Sequence, residues 1–153
     1  MTKQAFEQQV MALTQDMYRV TASLLRSEHD RQDAVQECIW KCWKNLPSLR
    51  DDRLFRAWMM RILINECKSI GRRYQHEAAA ELPDLPAANG GEDAFLRDEA
   101  LHHAVMHLPP KLRLTVTLYY MDGFSLRETA HALRVPEGTV KSRLNQARKK
   151  LKL

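Results

Sequence analysis

The segment from Phe124 to Leu153 constrains the fold most strongly, because it predicts two short helices joined by a tight turn. Ser125 is followed three residues later by Glu128, the capping-box pattern that begins a helix. Pro136 suits the first turn of a second helix, where its missing N–H costs nothing. Apolar residues then recur at helical spacing at Val140, Leu144, Ala147 and Leu151. The segment therefore predicts a helix–turn–helix, a motif that can lay its second helix in the major groove of DNA.

The polar face of that second helix is rich in cationic, hydroxyl and amide groups. Its side chains are Lys141, Ser142, Arg143, Asn145, Gln146, Arg148 and Lys149. From Arg134 onwards Glu137 is the only acid, in a chain whose net charge is +5. A second basic block runs from Arg56 to Arg73, and an acidic stretch from Glu77 to Glu99 separates the two blocks. Two such blocks indicate two surfaces that bind polyanions, and solvated helix faces are the plainer alternative.

Helical spacing of apolar residues extends through the rest of the chain, which contains only 5 Gly and shows no long strand-like alternation. The predicted helices cover about 4–26, 31–46, 54–70, 93–108 and 111–121. Gly71 is expected to end the third helix as a left-handed cap. Trp43 lies on the apolar stripe of the second helix and is expected to be buried. The chain is therefore predicted to be all-α.

Residues 75–94 differ from their surroundings, because they combine prolines, Asn89, two glycines, alanines and acids. This composition is typical of a flexible linker. We therefore predict two small helical domains, one over 1–75 and one over 95–153, joined by a flexible acidic linker over 76–94.

A second polar row lies on the third predicted helix. Asn65, Lys68, Ser69 and Arg72 are spaced so that they share one helical face. Amide, hydroxyl and cationic groups in one row suit base edges and phosphates together, although many such rows are simply exposed amphipathic faces.

Nothing in the sequence predicts catalysis, since it has no Gly-rich phosphate loop, nucleophile elbow or paired carboxylates. Cys38 and Cys42 are four residues apart, but their place on an apolar stripe favours ordinary buried residues. His103 and His107 are also four apart, so a helical metalloenzyme that uses these His and Cys side chains is one alternative. We expect no catalytic residue, metal site, cofactor or small-molecule substrate.

The amino-terminal residues MTKQAFEQQV lack the pattern of a secretory signal, and no apolar run approaches the roughly 20 residues of a membrane span. The 3 Cys then read as reduced thiols. We expect a cytoplasmic protein with no direct membrane insertion.

Two sets of motifs, in this order, resemble a known family. Asp33-Ala-Val-Gln36-Glu37 with Trp40 and Trp43, followed by Phe55-Arg-Ala-Trp58-Met-Met-Arg61-Ile62 and Asn65, resembles region two of bacterial sigma factors. Leu108-Pro109 through Tyr119-Tyr120, Ser125-Leu-Arg-Glu128-Thr-Ala130 and Gly138-Thr139-Val140-Lys141-Ser142-Arg143-Leu144 are similar to region four. With only these two regions, the layout resembles the extracytoplasmic-function (group IV) sigma factors. The resemblance implies a promoter-specificity subunit that brings core RNA polymerase to a promoter set and helps to melt it.

In the first half, the resemblance implies that Asp33, Gln36 and Glu37 engage the clamp helices of the polymerase. It also implies that the loop Pro47–Arg53 captures a base flipped from the minus-ten element. Asn65 and Ser69 would read that element, while Lys68, Arg72 and Arg73 would hold its phosphates.

In the second half, the resemblance implies that four side chains face the major groove of the minus-thirty-five element. These are Lys141, Ser142, Asn145 and Gln146. Thr139, Arg143 and Arg148 would contact the DNA backbone. Arg134 stands at the turn where the family usually has Gly, and a positive φ there would cost Arg on the order of 1 kcal/mol.

The expected partners are core RNA polymerase, promoter DNA and an anti-sigma factor, since members of the family are commonly silenced by one. One further alternative is a stand-alone transcriptional regulator that uses its helix–turn–helix as a dimer, without polymerase.

Overall fold

The computed structural model describes residues 1–77 and 99–152, with only the backbone described for 75–77. Every regular element in these ranges is helical, which confirms the all-α prediction. The α-helices are α1 (Lys3–Leu24), α2 (Glu28–Lys44), α3 (Phe55–Glu77), α4 (Glu99–Met106), α5 (Pro110–Val116), α6 (Leu126–Leu133) and α7 (Glu137–Leu151). Two 3-10 turns, Leu46–Ser48 and Asp52–Leu54, precede α3, and a π-helical turn, Thr117–Met121, continues α5.

Local capping decides where the first helices begin. The hydroxyl of Thr2 accepts a hydrogen bond from the Ala5 N–H at 3.0 Å at the start of α1. The Ser27 hydroxyl accepts a hydrogen bond from the Asp30 N–H at 3.3 Å at the start of α2. Because of this cap, α2 begins at Glu28, about three residues earlier than predicted. Both caps satisfy N–H groups that the helix itself leaves without a partner.

The prediction that Gly71 ends α3 is wrong, because the helix continues to Glu77. Among the described residues only Gly123, Arg134 and Lys152 have positive φ, so Gly71 keeps helical geometry. A glycine inside a helix costs only about 1 kcal/mol relative to alanine, and no proline lies between Gly71 and Glu77 to stop the helix. The extra turn is also tied to α2, since the Tyr74 hydroxyl donates to Asp30 Oδ2 at 2.5 Å.

One apolar core joins the two halves of the molecule, residues 1–77 (the first half) and 99–152 (the second half). Helices α1, α2 and α3 form a bundle around Met17, Val20 and Met59, all fully buried. The same cluster includes Leu118 and Phe124 from the second half of the chain. Helix α6 packs against α3, and α5 with its π-helical turn packs against α1. The free chain is therefore packed as one unit, an arrangement that the two predicted domains did not specify.

Arg113 is a deeply buried charged residue in this contact, with 3% of its surface exposed. Its Nε donates to the Ser23 carbonyl at 2.6 Å, across the junction between α5 and α1. Its Nη1 donates to the Met106 and Leu108 carbonyls at 2.9 and 3.3 Å. Burial lowers the pKa of this guanidinium, which nevertheless stays charged at physiological pH. Arg113 thus ties α1 to the end of α4 through carbonyl oxygens.

Two ion pairs also cross the junction. Arg19 Nε lies 2.8 Å from Asp122 Oδ1, whose side chain is fully buried. Arg56 Nε lies 3.4 Å from Glu128 Oε2, and its guanidinium stacks 4.4 Å from the centre of the Phe124 ring. These directional contacts help to fix how the two halves are oriented around their shared apolar core.

The predicted linker, residues 76–94, lies almost entirely outside the described residues, and its flexibility stays a prediction. Within the described part of the chain, no helix has a stretch that is both long and apolar enough to span a bilayer.

Candidate nucleic-acid and polymerase surfaces

The helix–turn–helix is built as the sequence predicts. Ser125 Oγ accepts from the Glu128 N–H at 3.0 Å, and the Glu128 carboxylate accepts from the Ser125 N–H at 3.1 Å, so the capping box is complete. Ala130 of α6 packs against Val140 and Leu144 of α7. This small core fixes the angle between the two helices and leaves the polar face of α7 outside.

The turn between these helices passes through Arg134 in the left-handed conformation, with φ 57° and ψ 46°. The Val135 N–H then donates back to the Ala130 carbonyl at 3.0 Å, which closes the end of α6. The φ of Arg134 is therefore positive, which is the condition under which the sequence indicated a backbone cost for arginine. An arginine carries a cost on the order of 1 kcal/mol here, because its Cβ crowds the backbone where glycine would not.

The predicted recognition side chains lie on the outer face of α7. Lys141, Ser142, Asn145 and Gln146 are all exposed. Ser142 and Gln146 are one turn apart, and Gln146 Nε2 donates to Ser142 Oγ at 3.4 Å. Their polar atoms therefore remain accessible to a duplex laid along this face.

Three side chains of α7 are predicted to contact the DNA backbone, and all three are half-buried: Thr139, Arg143 and Arg148. Arg148 is held by a residue that sequence reasoning missed, since its Nε donates to the Tyr120 hydroxyl at 2.7 Å. Its Nη1 also donates to Asn145 Oδ1 at 3.2 Å. Tyr120 lies within the predicted helix 111–121, and only the three-dimensional packing brings it to α7.

The row on α3 is also outside the core. Asn65, Lys68 and Arg72 are exposed and Ser69 is half-buried, in line along the helix. Arg73 is separate from this row, because it lines a cleft of about 160 Å³ with His29, Asp30, Asp33 and Tyr74 between α2 and α3. The structure therefore brings four of the five predicted side chains together and places Arg73 beside the acidic end of α2.

The acidic and amide side chains of α2 form a third exposed surface. Asp33, Gln36 and Glu37 all face solvent, and Asp33 Oδ2 lies 3.3 Å from His29 Nε2. Lys41, one turn beyond Glu37, forms an ion pair with Glu66 of α3. That pair fixes the relative position of α2 and α3 beneath the exposed face.

The loop Pro47–Arg53 is ordered by its own side chains. Asp51 accepts from the Arg53 N–H at 2.9 Å, and the two side chains form an ion pair at 2.9 Å. These hydrogen bonds hold the pKa of the Asp51 carboxyl below its usual value. The loop keeps a defined shape with its polar groups directed outward.

An aromatic surface that sequence reasoning missed lies beside this loop. Trp43 was expected to be buried but is 41% exposed, although its ring contacts Phe6 with 5.2 Å between the ring centres. Trp40 is 58% exposed. Both indoles line a cleft of about 520 Å³ with Leu46 and Pro47. An exposed indole offers a stacking surface for an unpaired base.

The cysteines and histidines are not arranged as a metal site. Cys38, Cys42 and Cys67 are buried, and the first two sulfurs are 3.9 Å apart. The hydrogen bond with Cys42, then burial, raise the pKa of the Cys38 thiol, and burial raises the pKa of Cys67 to about 12. The rings of His103 and His107 stack with their centres 4.0 Å apart. Across residues 1–77 and 99–152, no three His, Cys, Asp or Glu side chains converge as metal ligands.

Comparison with known proteins covers both halves of the chain. The family Sigma-70 region 2 matches residues 10–77, and the family Sigma-70, region 4 matches residues 98–151. The ECF RNA polymerase sigma factor SigM of Mycobacterium tuberculosis is 31% identical over 147 residues, which cover 96% of this chain and 75% of the relative. The RNA polymerase sigma-H factor of Pseudomonas aeruginosa is 30% identical over 95% of this chain and 83% of its own length.

A solved structure has the same fold. It is the sigma factor RpoE in complex with the anti-sigma factor NepR from Bartonella quintana, with a TM-score of 0.81 and 25% identity over 96% of this chain and 94% of that one. A stand-alone dimeric regulator is not favoured, because the region 2 match accounts for the whole first half of the chain. The chain belongs to the extracytoplasmic-function RNA polymerase sigma factors, which bind core RNA polymerase, direct it to a set of promoters and help to melt them.

Proposed function

We propose that this sigma factor divides its work among the three exposed surfaces on α2, α3 and α7. One observation carries the proposal: these polar faces lie outside the apolar core that the two halves share. In this division Asp33, Gln36 and Glu37 bind the polymerase. Two carboxylates and an amide on one exposed face suit a basic helical partner.

We propose that α7 reads the upstream promoter element as duplex DNA. Lys141, Ser142, Asn145 and Gln146 contact base edges, because their donors and acceptors match those in the major groove. The side chains of Thr139, Arg143 and Arg148 contact phosphates and set the register of the helix. The support is that the first four are exposed and the last three flank them, with Arg148 oriented by Tyr120.

The downstream element is read by the first half as melted DNA. Asn65 and Ser69 contact bases, Lys68 and Arg72 hold phosphates, and Arg73 holds a phosphate nearer to α2. A base flipped from the strand is captured at Pro47–Arg53, where Trp40 and Trp43 add stacking surfaces. Stacking contributes about 1–3 kcal/mol per base, so melting is favoured by binding unpaired bases more tightly than the duplex.

We also propose how the two halves, the location of the protein and its inhibition fit this division of work. Residues 1–75 and 95–153 act as separate units once polymerase is bound, joined by 76–94. The protein performs no chemistry itself and works in the cytoplasm, where the polymerase is. An anti-sigma factor holds it inactive, a proposal supported by the related RpoE having been solved with such a partner.

The experiment is a pull-down of core polymerase followed by run-off transcription. Replacing Asp33, Gln36 and Glu37 together by Ala should lower the amount of polymerase retained at least tenfold and abolish run-off product. The matched control replaces Glu7, Gln8 and Gln9, which are exposed on α1, and should behave as wild type. Heat unfolding should be the same for all three proteins, and undiminished capture of polymerase by the first variant would refute the assignment.

A further inference from the structure

A cleft of about 500 Å³ lies between α3 and the helix–turn–helix and belongs to none of the surfaces described above. Arg61 of α3 lines one side. Arg127 and His131 of α6, Arg134 of the turn, and Pro136 and Glu137 at the start of α7 line the other. Its volume is within the range of small-molecule sites, about 300–1,000 Å³. The cleft therefore has room for a small ligand that contacts both halves of the chain.

The charge of the cleft is strongly positive. Three guanidinium groups and one imidazole face a single carboxylate, that of Glu137. Among the residues that the structure describes, Arg61, Arg127 and Arg134 form no ion pair or side-chain hydrogen bond. Like charges that line one cleft repel one another, so an anion bound among them would relieve that repulsion.

Arg134 adds an independent reason to assign a ligand. Its left-handed backbone costs stability, which a glycine at this position would recover. Within the described part of the chain, its side chain forms no hydrogen bond or ion pair to offset that cost. A strained backbone at a residue whose side chain has no polar partner within the protein points to a partner outside it.

The amino end of α7 faces the same cleft. Pro136 is its N-cap residue and supplies no side-chain acceptor, so first-turn N–H groups are left without a side-chain partner. Such groups, together with the positive end of the helix dipole, attract phosphate oxygens. Arginine adds paired N–H donors that match two phosphate oxygens at once.

We propose that this cleft binds a small ligand with a chain of phosphate groups, such as inorganic triphosphate or the triphosphate of a nucleotide. Arg61 belongs to the first half, and Arg127 and Arg134 belong to the second. The ligand therefore fastens the two halves in their packed arrangement. This inference goes beyond the proposed function and does not depend on which residues touch polymerase or DNA.

The test is calorimetric titration of the full chain with inorganic triphosphate at about 0.15 M salt, where weak surface attraction is screened. Wild type should bind one equivalent in a saturable manner and unfold at a higher temperature with triphosphate present. Arg61→Ala and Arg134→Gly should each weaken binding about tenfold, equivalent to about 1.4 kcal/mol. The matched control is Arg26→Ala, which removes an exposed arginine far along the chain from the cleft residues and should bind as wild type.

Arg134→Gly separates binding from folding, because it removes a cation while relieving backbone strain. A variant that is at least as stable as wild type and binds triphosphate poorly supports the site. Equal binding by wild type, Arg134→Gly and Arg26→Ala would overturn it. Weakening by Arg134→Gly but not by Arg61→Ala would overturn the bridging of the two halves. Saturable binding of duplex DNA without any binding of triphosphate would make the cleft part of the DNA surface and refute the small ligand.

Discussion

Arg134 and Arg113 illustrate what a single residue decides in this molecule. The left-handed turn at Arg134 follows from a local motif, in which α6 must end and α7 begin within three residues. The two helices and their tight turn are readable from the sequence, which also marks Arg134 as the position where a positive φ would be costly. Arg113 was not singled out, because its acceptor on Ser23 is 90 residues away along the chain. A contact between residues so far apart in sequence leaves no periodic pattern or short spacing by which it could be predicted.

At this scale we predict that Arg134→Gly stabilises the free protein by about 0.5–1 kcal/mol, since glycine takes up the left-handed region without steric cost. For a chain of this size, the unfolding temperature should rise by roughly 2–4 °C per kcal/mol. Differential scanning calorimetry without added anions measures the change.

Lys152→Gly is the control, because Lys152 has a similar backbone (φ 59°, ψ 42°) but lies at the fraying end of α7. Relief of the same strain there should leave the unfolding temperature unchanged. A lower unfolding temperature for Arg134→Gly would mean that the arginine side chain stabilises the fold after all.

At the scale of elements, local chemistry determines most of what the sequence predicts correctly. Caps at Ser125 and Asp51 involve residues two or three positions apart, so their patterns can be read directly. The extension of α3 beyond Gly71 and the exposure of Trp43 involve contacts with other helices, which a local pattern does not contain. The candidate surfaces on α2, α3 and α7 were predictable because polar faces repeat at helical spacing, whereas Tyr120 was not.

Helix α7 should show two distinct kinds of DNA contact. Lys141→Ala should weaken binding to the preferred promoter more than to unrelated duplex, because a base contact is lost. Arg148→Ala should weaken binding to both alike and reduce the slope of log K against log salt by about one, because a phosphate contact is lost. Fluorescence anisotropy over a salt series, with holoenzyme reconstituted from each variant, measures both effects.

Lys3→Ala serves as the control for charge alone, since Lys3 is exposed at the start of α1. If Lys141→Ala and Arg148→Ala reduce binding to promoter and unrelated duplex in the same ratio, the division between base and phosphate contacts is wrong.

At the scale of the whole molecule, the packed arrangement conflicts with simultaneous reading of both promoter elements. Helices α3 and α6 are in contact, so their axes are about 8–10 Å apart. Elements about 25 base pairs apart on a straight duplex are separated by about 85 Å. If α3 and α7 hold the two elements as proposed, the two halves separate before both elements are bound. The sequence predicted two domains and could not predict this packing, because it depends on matching surfaces in distant parts of the chain.

We predict that Arg19→Ala, which removes the ion pair with Asp122, shifts the free protein towards the separated form. Small-angle X-ray scattering should report a larger radius of gyration. Core polymerase should bind on the order of threefold to tenfold more tightly, since less of the binding energy is spent on opening.

Arg26→Ala is the matched control, because Arg26 is exposed. It should leave both the radius of gyration and polymerase affinity unchanged. Unaltered scattering together with unaltered affinity for Arg19→Ala would show that this ion pair does not hold the halves together.

The shared core has a consequence for how this chain tolerates change. Phe124 and Leu118 complete a core built mainly by α1, α2 and α3, and Arg113 binds the carbonyl of Ser23. Groups that share partners do not respond independently to substitution. A mutation that loosens residues 99–152 will therefore also weaken residues 1–77 of the free chain, and a compensating mutation can arise on either side. In the free chain the two regions are thus expected to respond to substitution as coupled partners rather than as exchangeable modules.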